Sequence, residues 1–233
     1  MKKVFVFFAL LSLASFLKAE DDGKVGFSIG GDVVSSYVWR GEYIAGTSIQ
    51  PEMKLELGDI SFSTWGSVDI SGQGYKEVNL IASYSRSGFQ LDITDYWCMG
   101  ERSYKYFMYE SHRTDHAFEA TLGYILPVAK FPLSISWSTL FAGADYTKAN
   151  QKRAYSSYLE LAYPFEIKDI SLEASLGFTP WEGVYADNLS VVSLALKAGK
   201  EIRLSDSFSL PVFGQLIANP RMEDAFFVFG ICF

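Results

Sequence analysis

Along most of the chain, apolar residues alternate with Ser, Thr, Asp, Glu and Lys. A period of two predicts extended strands, because successive side chains of a strand point to opposite faces. The clearest stretch is 169–179, where Ile170, Leu172, Ala174, Leu176 and Phe178 share one parity against Ser171, Glu173, Ser175 and Gly177. Segment 60–70 repeats it, with Ile60, Phe62, Val68 and Ile70 opposed to Ser61, Ser63, Ser67 and Asp69. Twelve strands are predicted, near 26–38, 51–57, 60–70, 77–86, 88–97, 117–126, 132–142, 154–165, 169–179, 190–202, 207–217 and 224–233. A soluble sandwich would alternate in the same way, so periodicity does not choose between architectures.

The connections do. Those after the second, fourth, sixth, eighth and tenth segments are short: Gly58-Asp59, Ser87, 127–131, 166–168 and 204–206. Those after the first, third, fifth, seventh and ninth are mostly longer and polar or glycine-rich: 39–50, 71–76, 98–116, 143–153 and 180–189. Transmembrane barrels have an even strand number, short turns at one end and longer loops at the other. The expected fold class is therefore all-β, a single antiparallel transmembrane barrel of twelve strands occupying 20–233, with both termini periplasmic. In hydrocarbon every backbone N–H and C=O must be paired internally, which a closed sheet achieves without edges. Pro211 fits worst, since it removes a ladder bond. Tyr37, Trp39, Tyr84, Trp97, Tyr124, Tyr163, Phe165 and Phe178 lie near strand ends, where interfacial aromatic girdles are expected.

The two ends of the chain extend this picture. Lys2 and Lys3 precede an apolar run from Val4 to Leu17, and Ala19 stands before Glu20-Asp21-Asp22. That pattern predicts a signal peptide over 1–19, because the run is shorter than the roughly 20 residues a helical span needs. At the other end Phe227, Phe229, Ile231 and Phe233 share a parity, and a last strand ending in Phe is the signature read by the barrel-assembly machinery of Gram-negative bacteria. The expected location is the outer membrane, with its lipid and that machinery as partners. Export would leave a formal charge of about −10, which disfavours nucleic acid. Cys98 and Cys232 fall at opposite barrel ends and are expected to be unpaired.

Projecting the polar parity inward gives a charged lumen. Asp32, Glu56, Asp69, Glu77, Asp92, Glu119, Glu160 and Glu173 are acidic, and Arg40, Lys54 and Lys197 are basic. Charged rings select ions by sign, so an open barrel would be a narrow, mildly cation-preferring porin for small solutes. The opposing reading is that these groups pair with one another, that long loops fold inward, and that a non-conducting barrel uses its outer loops for adhesion or ligand binding. A soluble periplasmic sandwich is a further alternative.

The run Ser35-Ser36-Tyr37-Val38-Trp39-Arg40-Gly41, followed by Gln50-Pro51, resembles the S-x-Y-x-[FW]-R-G start of the TorF-type porins, outer-membrane proteins of largely unknown function. Trp65-Gly66-Ser67-Val68-Asp69 and Glu77-Val78-Asn79-Leu80 are similar to that family's W-G-S and E-x-D strands, with Asn79 where an acid is more usual. The family's Pro-Ala-x-Gln after the first strand is not clean here. The resemblance covers the first third of the chain, and F-S-L-P-V-F-G at 208–214 looks like a Bacteroidetes-type variant. It implies an outer-membrane pore and names no substrate or cofactor. Arg40 falls on the lumen parity at the rim, where it would either contact an anionic solute or tie down the first long loop through a carboxylate.

Enzyme chemistry has thin support. The histidines are His112 and His116, within Glu110-Ser111-His112-Arg113-Thr114-Asp115-His116. A base, a hydroxyl and carboxylates are present, as a triad demands, but no nucleophile motif accompanies them. Metal binding by this pair and lipid hydrolysis are both minor readings beside a polar surface loop. No catalytic, metal or cofactor residues are assigned, and no cofactor is expected.

Overall fold

A computed structural model describes residues 25–72, 74–99, 105–128, 131–147, 150–206 and 208–233. The predicted signal peptide lies outside the described residues. The long strands are β1 (Gly26–Val34), β4 (Ser48–Leu57), β5 (Ile60–Asp69), β6 (Lys76–Arg86), β7 (Phe89–Met99) and β8 (His116–Ile125). They continue through β9 (Ser134–Gly143), β10 (Ser157–Ile167), β11 (Ile170–Thr179), β12 (Ser190–Arg203), β13 (Ser209–Asn219) and β14 (Asp224–Cys232). These twelve form one closed antiparallel barrel. Two further short strands, β2 (Tyr37–Trp39) and β3 (Glu42–Ala45), pair only with each other.

Each predicted segment meets a strand, with ends displaced by a few residues. The largest difference concerns the first segment. The chain bends at Ser35-Ser36, so β1 stops at Val34 and the expected strand 26–38 is cut short. Beyond the bend, the β2–β3 hairpin brings Tyr37 and Trp39 inside the barrel instead of into an outer girdle. Trp97 also leaves the expected girdle, because Tyr106 packs edge-on over it at 5.0 Å. Tyr84 and Tyr124 do face outward and exposed.

The seam closes where β1 meets β14, with Asp32 opposite Cys232 and Val33 opposite Ile231. Gly31 N–H donates to the Phe233 carbonyl and Phe233 N–H donates to the Gly31 carbonyl, both at 3.0 Å. Phe233 is therefore the last link of the ladder while its side chain is exposed. Pro51, at the centre of a strand, is accommodated by a gap. The β4–β5 ladder skips from Ile49↔Val68 to Glu52↔Trp65, where the imide nitrogen has no hydrogen to donate. Pro211 sits near the start of β13, at the short-turn end, opposite Glu201. No disulfide joins Cys98 and Cys232.

Burial runs opposite to that of a water-soluble core. Phe27, Ile29, Phe62, Leu80, Ile93, Leu122, Leu194, Leu216 and Phe227 are exposed on the outer wall, whereas Ser48, Ser67, Asn79, Glu119, Ser138, Ser157 and Ser193 are buried inside. Interior volume is matched residue by residue. Gly177 faces inward and leaves room for the Tyr158 ring, whose hydroxyl a Cβ at this position would strike. Gly177→Ala is expected to destabilise the barrel by about 1–3 kcal/mol through overpacking. In urea unfolding of the refolded protein, Tyr158→Ala should absorb much of that loss, and strictly additive effects would contradict the packing argument.

Candidate functional site

The inward hairpin organises the lumen. Its turn is Arg40-Gly41, with φ of 51° and 84°, so both central residues are left-handed as in the tightest hairpin turns. Glycine takes this conformation freely, and a Cβ on Gly41 would collide with the Val192 carbonyl. For arginine the same conformation costs roughly 1–2 kcal/mol. The contacts of its side chain offset that strain.

Arg40 binds Glu119 on β8 with both terminal nitrogens, Nη1 to Oε2 at 2.6 Å and Nη2 to Oε1 at 2.9 Å. The two side chains are 5% and 1% exposed, so the pair is shielded from bulk solvent. Tyr96 Oη donates to Glu119 Oε1 at 2.9 Å, Thr121 Oγ1 at 3.3 Å, and Arg40 Nη1 also donates to the Tyr185 hydroxyl. Burial raises the Tyr185 hydroxyl above its ordinary range, which keeps it protonated. The guanidinium lies 4.5 Å from the Trp39 ring centre and 4.6 Å from that of Tyr158, within cation–π range. A bidentate, desolvated pair with further donors on the carboxylate tolerates burial of its charge, here with Arg40 Nε left without a hydrogen-bond partner among the described residues.

The rest of the hairpin is held in the same way. Glu77 on β6 accepts from Tyr37 Oη at 3.1 Å, Tyr75 Oη at 2.7 Å and Asn79 Nδ2 at 2.8 Å. Tyr37 packs on Trp65 of β5, and Trp39 meets Tyr96 of β7 edge-on. Asn219 of β13 donates to the Gly41 carbonyl at 3.2 Å, and Tyr43 stacks on Phe226 of β14. Val38 packs on an apolar cluster that includes Val34 and Phe213. The hairpin therefore touches walls on opposite sides of the lumen and crosses it.

Of the two roles open to Arg40, the geometry bears out the second: it ties down the first long connection through a carboxylate. The remaining lumen candidates divide. Glu77 and Glu119 grip the hairpin. Asp69 caps the β5–β6 connection, accepting from Ser71 N–H and Gly74 N–H at 2.9 Å each. Glu160 accepts from Tyr158 Oη at 2.9 Å. Lys54 pairs with Glu56 at 2.8 Å near the short-turn mouth, where the Glu56 side chain is about half exposed. Glu173 stands opposite Lys197, whose Nζ lies 4.1 Å above the Phe213 ring. Asp32 and Asp92 each keep a buried carboxylate oxygen with no hydrogen-bond partner among the described residues.

The pattern missed the aromatic partners. Tyr96 and Tyr158 occupy the polar parity of their strands, alongside Asp92 and Glu160, and that parity was the available signal. The histidines do not converge. His112 stacks on Tyr146 at 4.1 Å, while His116 starts β8 and faces the outer wall. His116 Nδ1 lies 2.7 Å from Asp95 Oδ1, and Nε2 bonds the Tyr106 carbonyl, which occupies the side a triad would offer to a nucleophile. Burial, then the Asp95 carboxylate, pushes the Tyr106 hydroxyl up to about 12. Among the described residues no group of three His, Cys, Asp or Glu could hold a metal ion.

No protein-family model matches this chain, and no curated protein is significantly similar to it. The chain is thus defined by its architecture: a closed twelve-strand antiparallel barrel with a polar interior crossed by a hairpin.

Glu119→Ala strands the Arg40 charge in a desolvated setting and is expected to cost about 3 kcal/mol in urea unfolding. Arg40→Ala with Glu119→Ala should cost clearly less than the two single losses combined. Additive losses would show that the pair does not hold the hairpin.

Proposed function

We propose that the chain is an outer-membrane porin of TorF type, inserted through its apolar wall with both termini in the periplasm, that passes small solutes through a narrow acid-rich lumen. The observation that carries this reading is the inverted burial, with large apolar side chains exposed on strands around the barrel and polar ones enclosed. Monomeric soluble proteins rarely expose contiguous apolar patches beyond a few hundred Å². Lipid is the solvent such a wall suits. The even strand number and alternation of short and long connections point the same way, as does the sequence similarity around Arg40. The predicted signal peptide and the terminal Phe233 strand fit export and delivery to the assembly machinery. The crossing hairpin sets the aperture in this reading.

The hairpin also favours a second reading, a non-conducting barrel that works through its outer loops. Phe107, 86% exposed in the connection between β7 and β8, is a candidate contact there. Planar-bilayer recording separates the two. The porin should give discrete openings, and the Arg40→Ala/Glu119→Ala variant should give larger ones because its hairpin is released. Silence from both refolded proteins would favour the second reading.

The lipid premise has its own test. Leu80, midway along β6 on the outer wall, is expected to lose about 2–4 kcal/mol on substitution by Arg when the barrel is folded into bilayers. A loss below about 0.5 kcal/mol is what a water-facing position gives, and would remove the membrane assignment.

A further inference from the structure

Beside Arg40 Nε and Asn79 Oδ1 at the hairpin, three inward carboxylates of the lumen carry an unpartnered buried oxygen. Asp32 Oδ1, Glu52 Oε1 and Asp92 Oδ1 are buried atoms without a hydrogen-bond partner among the described residues. Two of them are neighbours. Asp32 faces Gln50 and Gly30 faces Glu52 across the β1–β4 ladder, so Asp32 and Glu52 are diagonal partners on one face. Such diagonals lie about 7–8 Å apart. Asp32 and Glu52 are 8% and 6% exposed as residues.

Nothing among the described residues neutralises this pair fully. The Cys232 thiol supplies a hydrogen bond to Asp32, which leaves Oδ1 open. Lys197 is within electrostatic reach of Asp32, but its ammonium sits over the Phe213 ring. Lys54 is within reach of Glu52, but it is bonded to Glu56. Burying an ionised carboxylate without a partner is expensive, so an unpaired acceptor oxygen on each of two adjacent acids is relieved either by a proton or by a mobile cation, and only the cation needs room for a binding site. Two carboxylates at this separation are too few to strip a metal ion of its water, which argues for loose binding of an ion that keeps part of its hydration shell.

Resting on the porin reading, we propose that Asp32 and Glu52 form a binding site for small hydrated inorganic cations on the path through the lumen, and that cations are the solute class this barrel passes. Asp92, on β7, is a further open carboxylate along that path. Lys54 is within electrostatic reach of it, as it is of Glu52. Binding strong enough to admit an ion yet weak enough to release it is what conduction requires, and a partly hydrated two-acid site meets that condition.

The test compares wild type with Asp32→Asn/Glu52→Gln, both refolded and checked for native heat-modifiable mobility on gels. Under a KCl gradient the wild type should show a reversal potential displaced toward that of potassium. The double variant should lose about half of that displacement or more. Chloride preference in the wild type, or an unchanged potential in the variant, would overturn the proposal while leaving the porin intact. A silent wild type speaks against the porin, and the site is then judged by ²³Na line broadening. Broadening by wild type that falls by about half in the variant supports the site; equal broadening overturns it. Should the double variant fail to refold, Asp32→Asn and Glu52→Gln are read singly, each with a partial loss expected and no loss from either counting against the site.

Discussion

Closure of the strand ladder is the constraint on which the other features depend. A wall that carries Phe, Leu and Ile outward can face hydrocarbon only if no backbone donor or acceptor is left at an edge. The Gly31–Phe233 exchange completes the ring, and the gap opposite Pro51 shows how a residue without an N–H is fitted into it. Once the ring is closed, its alternating side chains are committed: one parity outward, the other into a lumen too large for them to fill. The interior then has to be completed by something else.

The chain completes it with its own first connection. Folding a hairpin into a polar tube is favourable only if its buried polar groups find partners, and the contacts of Tyr37, Trp39, Arg40 and Gly41 meet that demand on several walls. Arg40 combines a strained backbone with a bidentate ion pair. The strain amounts to roughly 1–2 kcal/mol, less than the roughly 3–5 kcal/mol at stake when a buried pair loses one member. Once inside, the guanidinium is held by that carboxylate, and the arrangement depends on Glu119 keeping its place.

The strands were legible in the sequence because a period of two is a local property, and the short turns could be recognised by Gly58-Asp59 or Ser87-Gly88. The architecture followed from their alternation with longer connections. The hairpin was not legible. Tyr37, Trp39 and Tyr43 share one parity as strand residues should, and nothing local marks Ser35-Ser36 as a bend. The Arg40–Glu119 contact spans 79 residues of sequence, and no pairing rule at that range exists without the fold. The charge of Arg40 on a lumen parity does mark it as an inward residue, from which its two possible roles follow. Glu52 shares the inward parity of Lys54 and Glu56, so the alternation pointed to it although it was not among the candidates.

The two kinds of carboxylate in the lumen also explain each other. Glu77 and Glu119 are saturated by hydroxyls, an amide and a guanidinium, so they act as structure and have no capacity left for a passing ion. Asp32, Glu52 and Asp92 each retain an open acceptor oxygen. In the porin proposed above, the hairpin would narrow the passage and the open acids would attract charge. In that porin, losing the hairpin would widen the passage without removing the acids that attract cations.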